Sequence, residues 1–185
     1  MKHILLTTAV TLAASALSVQ ADEISDTLES SLKAYTDGDL QYALEELNFA
    51  RQLMIEKKTE ALSAFLPEAP EGWTREVNSE MGASLGMLGG GVGAEAEYSK
   101  GSESFKITIM ADNPMVSAMG GMIGNAAAYG AKVERVGREK FMVQDSAIQG
   151  LIDNRILVKA EGTDMAQMIS VLESMDFREL GRFGN

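Results

Sequence analysis

The sequence predicts an α+β protein: an N-terminal antiparallel helical hairpin followed by an antiparallel β-sheet with two packed helices. Three observations carry this. Apolar residues recur at three- and four-residue steps from Ile24 to Phe65. The stretch Pro67-Glu68-Ala69-Pro70-Glu71-Gly72 then ends the pattern, because two prolines fix φ and remove backbone donors. Beyond Trp73 the period changes to two, as in Phe105, Ile107 and Ile109. With 45% hydrophobic and 23% charged residues over 185 positions, the chain has enough apolar content to fold rather than stay disordered.

Residues 1–21 read as a cleavable secretory signal. Lys2 supplies the positive start, Ile4 to Leu17 is uncharged and largely apolar, and Val19-Gln20-Ala21 places small residues at a cleavage site. The apolar stretch is poorly suited to span a bilayer as a mature helix. The expected location is periplasmic, with no transmembrane span in the mature chain. Cleavage removes His3, the sequence's single histidine, and there is no cysteine at all. The mature chain therefore has no lipidated N-terminal cysteine, no disulfide, no thiol nucleophile and no imidazole base or His-ligated metal. A net charge of −11 opposes nucleic acid and anionic membranes as electrostatic partners and suits a basic protein instead.

Within 22–66, Ile24, Leu28, Leu32 and Tyr35 form one stripe of a first helix. Asp37-Gly38-Asp39 closes it: Gly38 can take a positive φ and Asp39 is a suitable N-cap for the second helix. That helix continues through Leu40, Ala43, Leu44, Leu47, Ala50 and Met54 towards Pro67. Residues 67–72 are expected to be a linker and 73–185 the sheet with its helices. Trp73 to Ser79 opens the sheet. Met81 to Ala94, uncharged and glycine-rich, is expected as a flexible contact loop, with Met81, Leu85, Met87 and Leu88 as its partner-binding side chains. Strands are expected at 95–100, 105–109, 133–136, 140–144 and 155–160, the third and fourth as a hairpin around Gly137-Arg138. Asn113-Pro114 starts a helix towards Tyr129, and Asp164 with Gln167 caps a last helix over 165–175.

The turn Gly38-Asp39-Leu40-Gln41-Tyr42-Ala43-Leu44, with Leu47 and Ala50, resembles the inter-helix turn of a tetratricopeptide repeat. One copy is present where a solenoid needs about three, so a peptide-binding superhelix does not follow. Residues 66–180 resemble the PsbP/Mog1-like family in the Leu66-Pro67 … Gly72-Trp73 entry, the strand meander and the closing Met175-Asp176-Phe177-Arg178. That resemblance implies an accessory or adaptor fold rather than a reaction.

Candidate chemistry is thin. Ser30 and Lys33 have Ser-x-x-Lys spacing but lack the partner motifs of penicillin-recognising enzymes. Asp37 and Asp39 lack the closing glutamate of a calcium loop. Glu95 and Glu97 share one strand face, where a solvated edge is the simpler reading. Met115, Met119 and Met122 fall at i, i+4 and i+7, and thioethers are soft ligands for Cu(I) or Ag(I). Methionine at such spacing more commonly fills core space.

The expectation is therefore an exported, soluble, non-catalytic binding or accessory protein without a cofactor, whose partner is another envelope protein. Two alternatives stand beside it: a methionine-based Cu(I)/Ag(I) carrier using Met115, Met119 and Met122, and an inhibitor or immunity protein for an exported enzyme.

Overall fold

The structure, a computed structural model, describes residues 22–78, 81, 85 and 90–184, so the expected leader lies outside the described residues. The chain divides into two compact units, residues 1–50 and 51–185. Helix α1 (Glu23–Asp37) and the first part of α2 (Leu40–Ser63) belong to the first unit.

In the second unit, seven strands form one antiparallel sheet: β1 (Thr74–Asn78), β2 (Val92–Lys100), β3 (Glu103–Ala111), β4 (Lys132–Val136), β5 (Glu139–Gln144), β6 (Ala147–Ile152) and β7 (Ile156–Gly162). Their order across the sheet is β1-β2-β3-β7-β6-β5-β4. Two meanders, β1 to β3 and β4 to β7, thus meet at the central β3–β7 pair, where Ile107 faces Ala160 and Ile109 faces Val158. Helix α3 (Pro114–Gly124) and a 3₁₀ turn (Ala126–Tyr129) join the two meanders. Helices α4 (Met165–Leu172) and α5 (Phe177–Leu180) close the chain.

Alternation sorts each strand's side chains between two faces. On the main face Ile107, Ile109, Ile148 and Ile156 pack with Met168, Leu172 and Leu180 of the closing helices. Leu62 and Leu66 enter the same core, so the last turns of α2 belong to the sheet unit. On the second face Val116 and Ile123 of α3 pack with Met142 and Leu157. The Pro67 carbonyl accepts the buried Tyr98 hydroxyl at 2.6 Å. The proline-rich stretch is therefore fastened to β2, whereas the sequence suggests a linker.

The α+β architecture and antiparallel sheet are those the sequence predicts, with differences in detail. Strand β6 is unanticipated, because Gly150 interrupts its alternation. A Cβ at Gly150 would lie 2.9 Å from ring carbons of Phe141, so the glycine admits that ring. Strand β2 begins at Val92, inside the stretch expected as loop, and Met81 and Leu85 are helical. Helix α3 ends at Gly124 and α4 at Leu172, each shorter than the apolar pattern suggests.

Candidate functional site

The hairpin of the first unit is built by local chemistry. The Asp22 carboxylate accepts from Ser25 N–H at 3.0 Å and caps α1. Gly38, at φ +86°, ends the helix in the left-handed conformation, and Asp39 N–H returns to Ala34 C=O at 2.9 Å. Asp39 then caps α2 by accepting from Tyr42 N–H at 3.1 Å. The two helices touch at Ser31 and Ala43, and the buried side chains of this seam are small: Thr27 and Ala34 on α1, Ala43 and Ala50 on α2. Ser31 Oγ donates to the Ala43 carbonyl at 2.8 Å across this seam.

The large apolar side chains are not in the seam. At about 100° per residue, Leu28, Leu32 and Tyr35 centre roughly a quarter-turn from the Thr27–Ser31–Ala34 stripe. Leu40, Leu44 and Leu47 centre roughly a quarter-turn, in the same rotational sense, from Ala43 and Ala50. Because the helices are antiparallel, equal rotations along the chain bring both stripes to the same side of the hairpin. The Ser31–Ala43 register sets them in three rungs: Leu28 level with Leu47, Leu32 with Leu44, Tyr35 with Leu40. Their exposures are 37 and 49%, 64 and 57%, and 63 and 60%. Together they present on the order of 600 Å² of apolar surface, at the top of the range for the largest patch on an ordinary monomer.

Charge surrounds this face. Residues 22–50 hold eight carboxylates and one lysine. Lys33 is bonded to Asp37 at 2.6 Å. Helical geometry puts Glu29 on the outer flank of the α1 stripe and Gln41 with Glu45 on that of α2, where Gln41 Nε2 donates to Glu45 Oε1 at 2.8 Å.

Of the contact residues expected in the 81–94 stretch, Leu85 is buried. Its Cδ1, with Met81 Cγ and Sδ, occupies the space above Gly93 of β2. Both therefore pack on the sheet. Met87 and Leu88 lie outside the described residues. Met115, Met119 and Met122 do lie on one helix, α3. Met115 and Met122 are about half exposed, while Met119 packs with the second-face core. Met122 also lines an open cleft of about 630 Å³ with Ala126, Lys132 and Met142. Among the described residues no three His, Cys, Asp or Glu side chains are grouped to hold a metal ion.

The candidate carboxylates are engaged structurally. Glu95 accepts from Thr108 Oγ1 at 3.1 Å and pairs with Lys106 at 3.3 Å. Asp37 and Asp39 serve Lys33 and the α2 cap. Two groups have displaced titration. Burial pushes the Tyr98 hydroxyl up to about 12; the Arg75 charge opposes this and Glu68 adds to it. Partial burial tends to raise the Asp112 carboxyl, but hydrogen bonds and charge from Lys58 and Arg155 outweigh it and hold the group below its ordinary value. Lys58 and Arg155 reach Asp112 at 2.7 and 2.8 Å. Arg155 also donates to the Gly181 and Phe183 carbonyls, and Lys58 lies 5.7 Å from the Phe183 ring centre. This cluster pins the chain's last described turn.

Helical periodicity marks one large apolar stripe on each helix and does not say whether the chain covers it. The missed signal is a second stripe of Thr, Ser and Ala a quarter-turn away. No family model matches the chain, and neither a curated protein nor a solved structure matches it.

Proposed function

We propose that this chain is an exported, non-catalytic binding or accessory protein of the cell envelope, working in the periplasm and holding another envelope protein on the apolar side of its α1–α2 hairpin. The observation that carries this reading is the three-rung apolar face beside a seam of small residues. A hairpin stabilised only by its own helix contact would put its large side chains into that contact. Here Leu32, Tyr35, Leu40 and Leu44 are each more than half exposed.

The export pattern of residues 1–21 supports the envelope location. Cleavage after Ala21 leaves Asp22, the α1 cap, as the first residue, so processing keeps the hairpin complete. The binding role also agrees with what the displaced titrations do: Tyr98 fastens Pro67, and Asp112 fastens Lys58 and Arg155. Perturbed groups of a catalytic site would instead converge on a cleft. The PsbP/Mog1-like resemblance of residues 66–180 fits the same accessory role.

The test is site-specific photocrosslinking in intact cells, with the probe at Leu32, at Leu44 and, as a control, at Met115. A discrete protein adduct from both hairpin positions and not from Met115 is expected. Adducts from Met115 alone, or from none of the three, would refute the hairpin as the binding element. Turnover of an envelope substrate abolished by one carboxylate substitution would refute the non-catalytic role.

A further inference from the structure

We infer that the occupant of the hairpin face is a basic amphipathic helix of the partner protein, with an apolar stripe flanked by Lys or Arg. This rests on the docking role proposed for the same face. The dimensions come first. Leu28 to Tyr35 and Leu40 to Leu47 each span about 10 Å of helix, so the three rungs form a short double row. A single helix laid along the row, with anchors at i, i+3 or i+4 and i+7, matches it rung for rung.

Charge selects among helices. The flanks of the face carry Glu29 on one side and Glu45 on the other, among the eight carboxylates of residues 22–50. The one lysine of that stretch, Lys33, is already bonded to Asp37, and Arg51 follows on α2 just past the last rung. A helix with cations along both edges of its apolar stripe meets carboxylates along both flanks. A second copy of this chain fits less well: two-fold pairing lays acidic flank on acidic flank, with Arg51, exposed one turn beyond Leu47, as the nearest cation to relieve it. An anionic membrane is disfavoured by the same charge.

The face offers on the order of 600 Å², below the ~800 Å² per partner of a standard stable complex. The expected association is therefore reversible, and its rate and selectivity depend on charge.

The test uses the purified protein and three synthetic helices of about five turns. One has a leucine stripe flanked by lysine, one the same stripe flanked by glutamate, and one the leucine/lysine composition scrambled to destroy the stripe. Binding is followed by fluorescence anisotropy. The leucine/lysine helix is expected to bind 1:1, at least about tenfold tighter than either other peptide, and to weaken about tenfold between roughly 0.05 and 0.5 M salt. Leu32→Ser with Leu44→Ser removes this binding. Glu29→Gln with Glu45→Gln, which leaves the apolar face intact, weakens it several-fold and flattens the salt dependence. Met115→Ser leaves it unchanged.

Equal binding of the leucine/glutamate helix overturns the basic-helix inference while the docking role stands. So does a self-associated state, seen in sedimentation, that Leu32→Ser with Leu44→Ser dissolves, since the face then belongs to a second copy. If no peptide binds and Leu32 and Leu44 give no crosslinks, the docking role itself fails.

Discussion

Asp112 is the residue whose replacement tests the sheet unit most sharply. It sits between β3 and α3 at φ +55° and accepts from Lys58 Nζ at 2.7 Å and Arg155 Nη1 at 2.8 Å. Its side chain is 33% exposed, and those of Lys58 and Arg155 are 39% and 27% exposed. Solvent screens such pairs, so each contributes nearer ~0.5–1 kcal/mol than the ~1.5–3 of a buried charged bond. Asp112→Asn keeps a side chain that tolerates positive φ and loses the charge, and the expected loss is about 1–2 kcal/mol. Asp112→Ala loses the acceptor as well and adds ~1 kcal/mol of left-handed backbone strain, for about 2–3 kcal/mol in all. Urea unfolding at neutral pH measures both. The pH dependence has a definite sign. The folded-state carboxyl lies below its unfolded value of about 3.9, so its contribution is full above that value and is lost as pH falls through the folded one. The gap between native chain and Asp112→Asn should therefore close in acid. A gap that stays constant down to about pH 2 would refute the ion-pair account, and equal losses for Asn and Ala would refute the backbone part.

Three further outcomes follow from the same geometry. Gly150→Ala should cost about 1–3 kcal/mol, because its Cβ would meet the Phe141 ring at 2.9 Å. Combining it with Phe141→Leu should give a smaller loss than the sum of the two, which a double-mutant cycle by thermal melting checks. Tyr98→Phe removes the 2.6 Å bond to Pro67 and should cost ~1 kcal/mol at neutral pH. Since burial raises the folded hydroxyl to about 12, its protonated form favours the folded chain below about pH 10, and that advantage is lost as pH rises through 12. The native chain should thus lose more stability than Tyr98→Phe over this window in alkaline unfolding. Under the binding-protein reading, Cu(I) competition titration should show no stoichiometric site; a site abolished when Met115, Met119 and Met122 all become Leu would favour the metal-carrier alternative.

The elements of the fold were legible wherever period and punctuation agreed. Phe105, Ile107 and Ile109 alternate without interruption and lie in β3. Asn113-Pro114 announces α3 because a side-chain acceptor and a residue with fixed φ occupy adjacent positions, and Asn113 Oδ1 accepts from Met115 N–H. Legibility failed where a tertiary neighbour set the residue. Gly150 looks like a strand breaker in one dimension, and only the Phe141 ring above it explains its place in β6. The β6–β7 connection was hidden too: Asp153 and Asn154 both take φ near +50°, a turn made without glycine. Strand order across the sheet depends on which meander edge pairs with which, and the β3–β7 pairing leaves no local mark.

The hairpin was hidden for a different reason. Helical periodicity reports that a face is apolar, but not whether the chain itself covers it. In α1 two stripes compete: Ile24, Leu28, Leu32 and Tyr35 have the larger side chains, whereas Thr27, Ser31 and Ala34 have the smaller. Size alone assigns the first stripe to the interior. Yet small residues permit close approach of two helices, and Ser31 Oγ reaches the Ala43 carbonyl only because the helices approach along that stripe. Once the small stripe is the seam, antiparallel geometry leaves the large stripes side by side and exposed. Glu29 and Glu45 then take on a meaning their positions in the sequence do not suggest. As scattered acids on a soluble helix they would only solvate it; as the two flanks of an apolar double row they bias which helix it accepts. Neutralising them while leaving the leucines separates these two roles. A salt-dependent preference for basic helices that survives Glu29→Gln with Glu45→Gln would mean that the hairpin's general acidity, rather than its flanks, does the selecting.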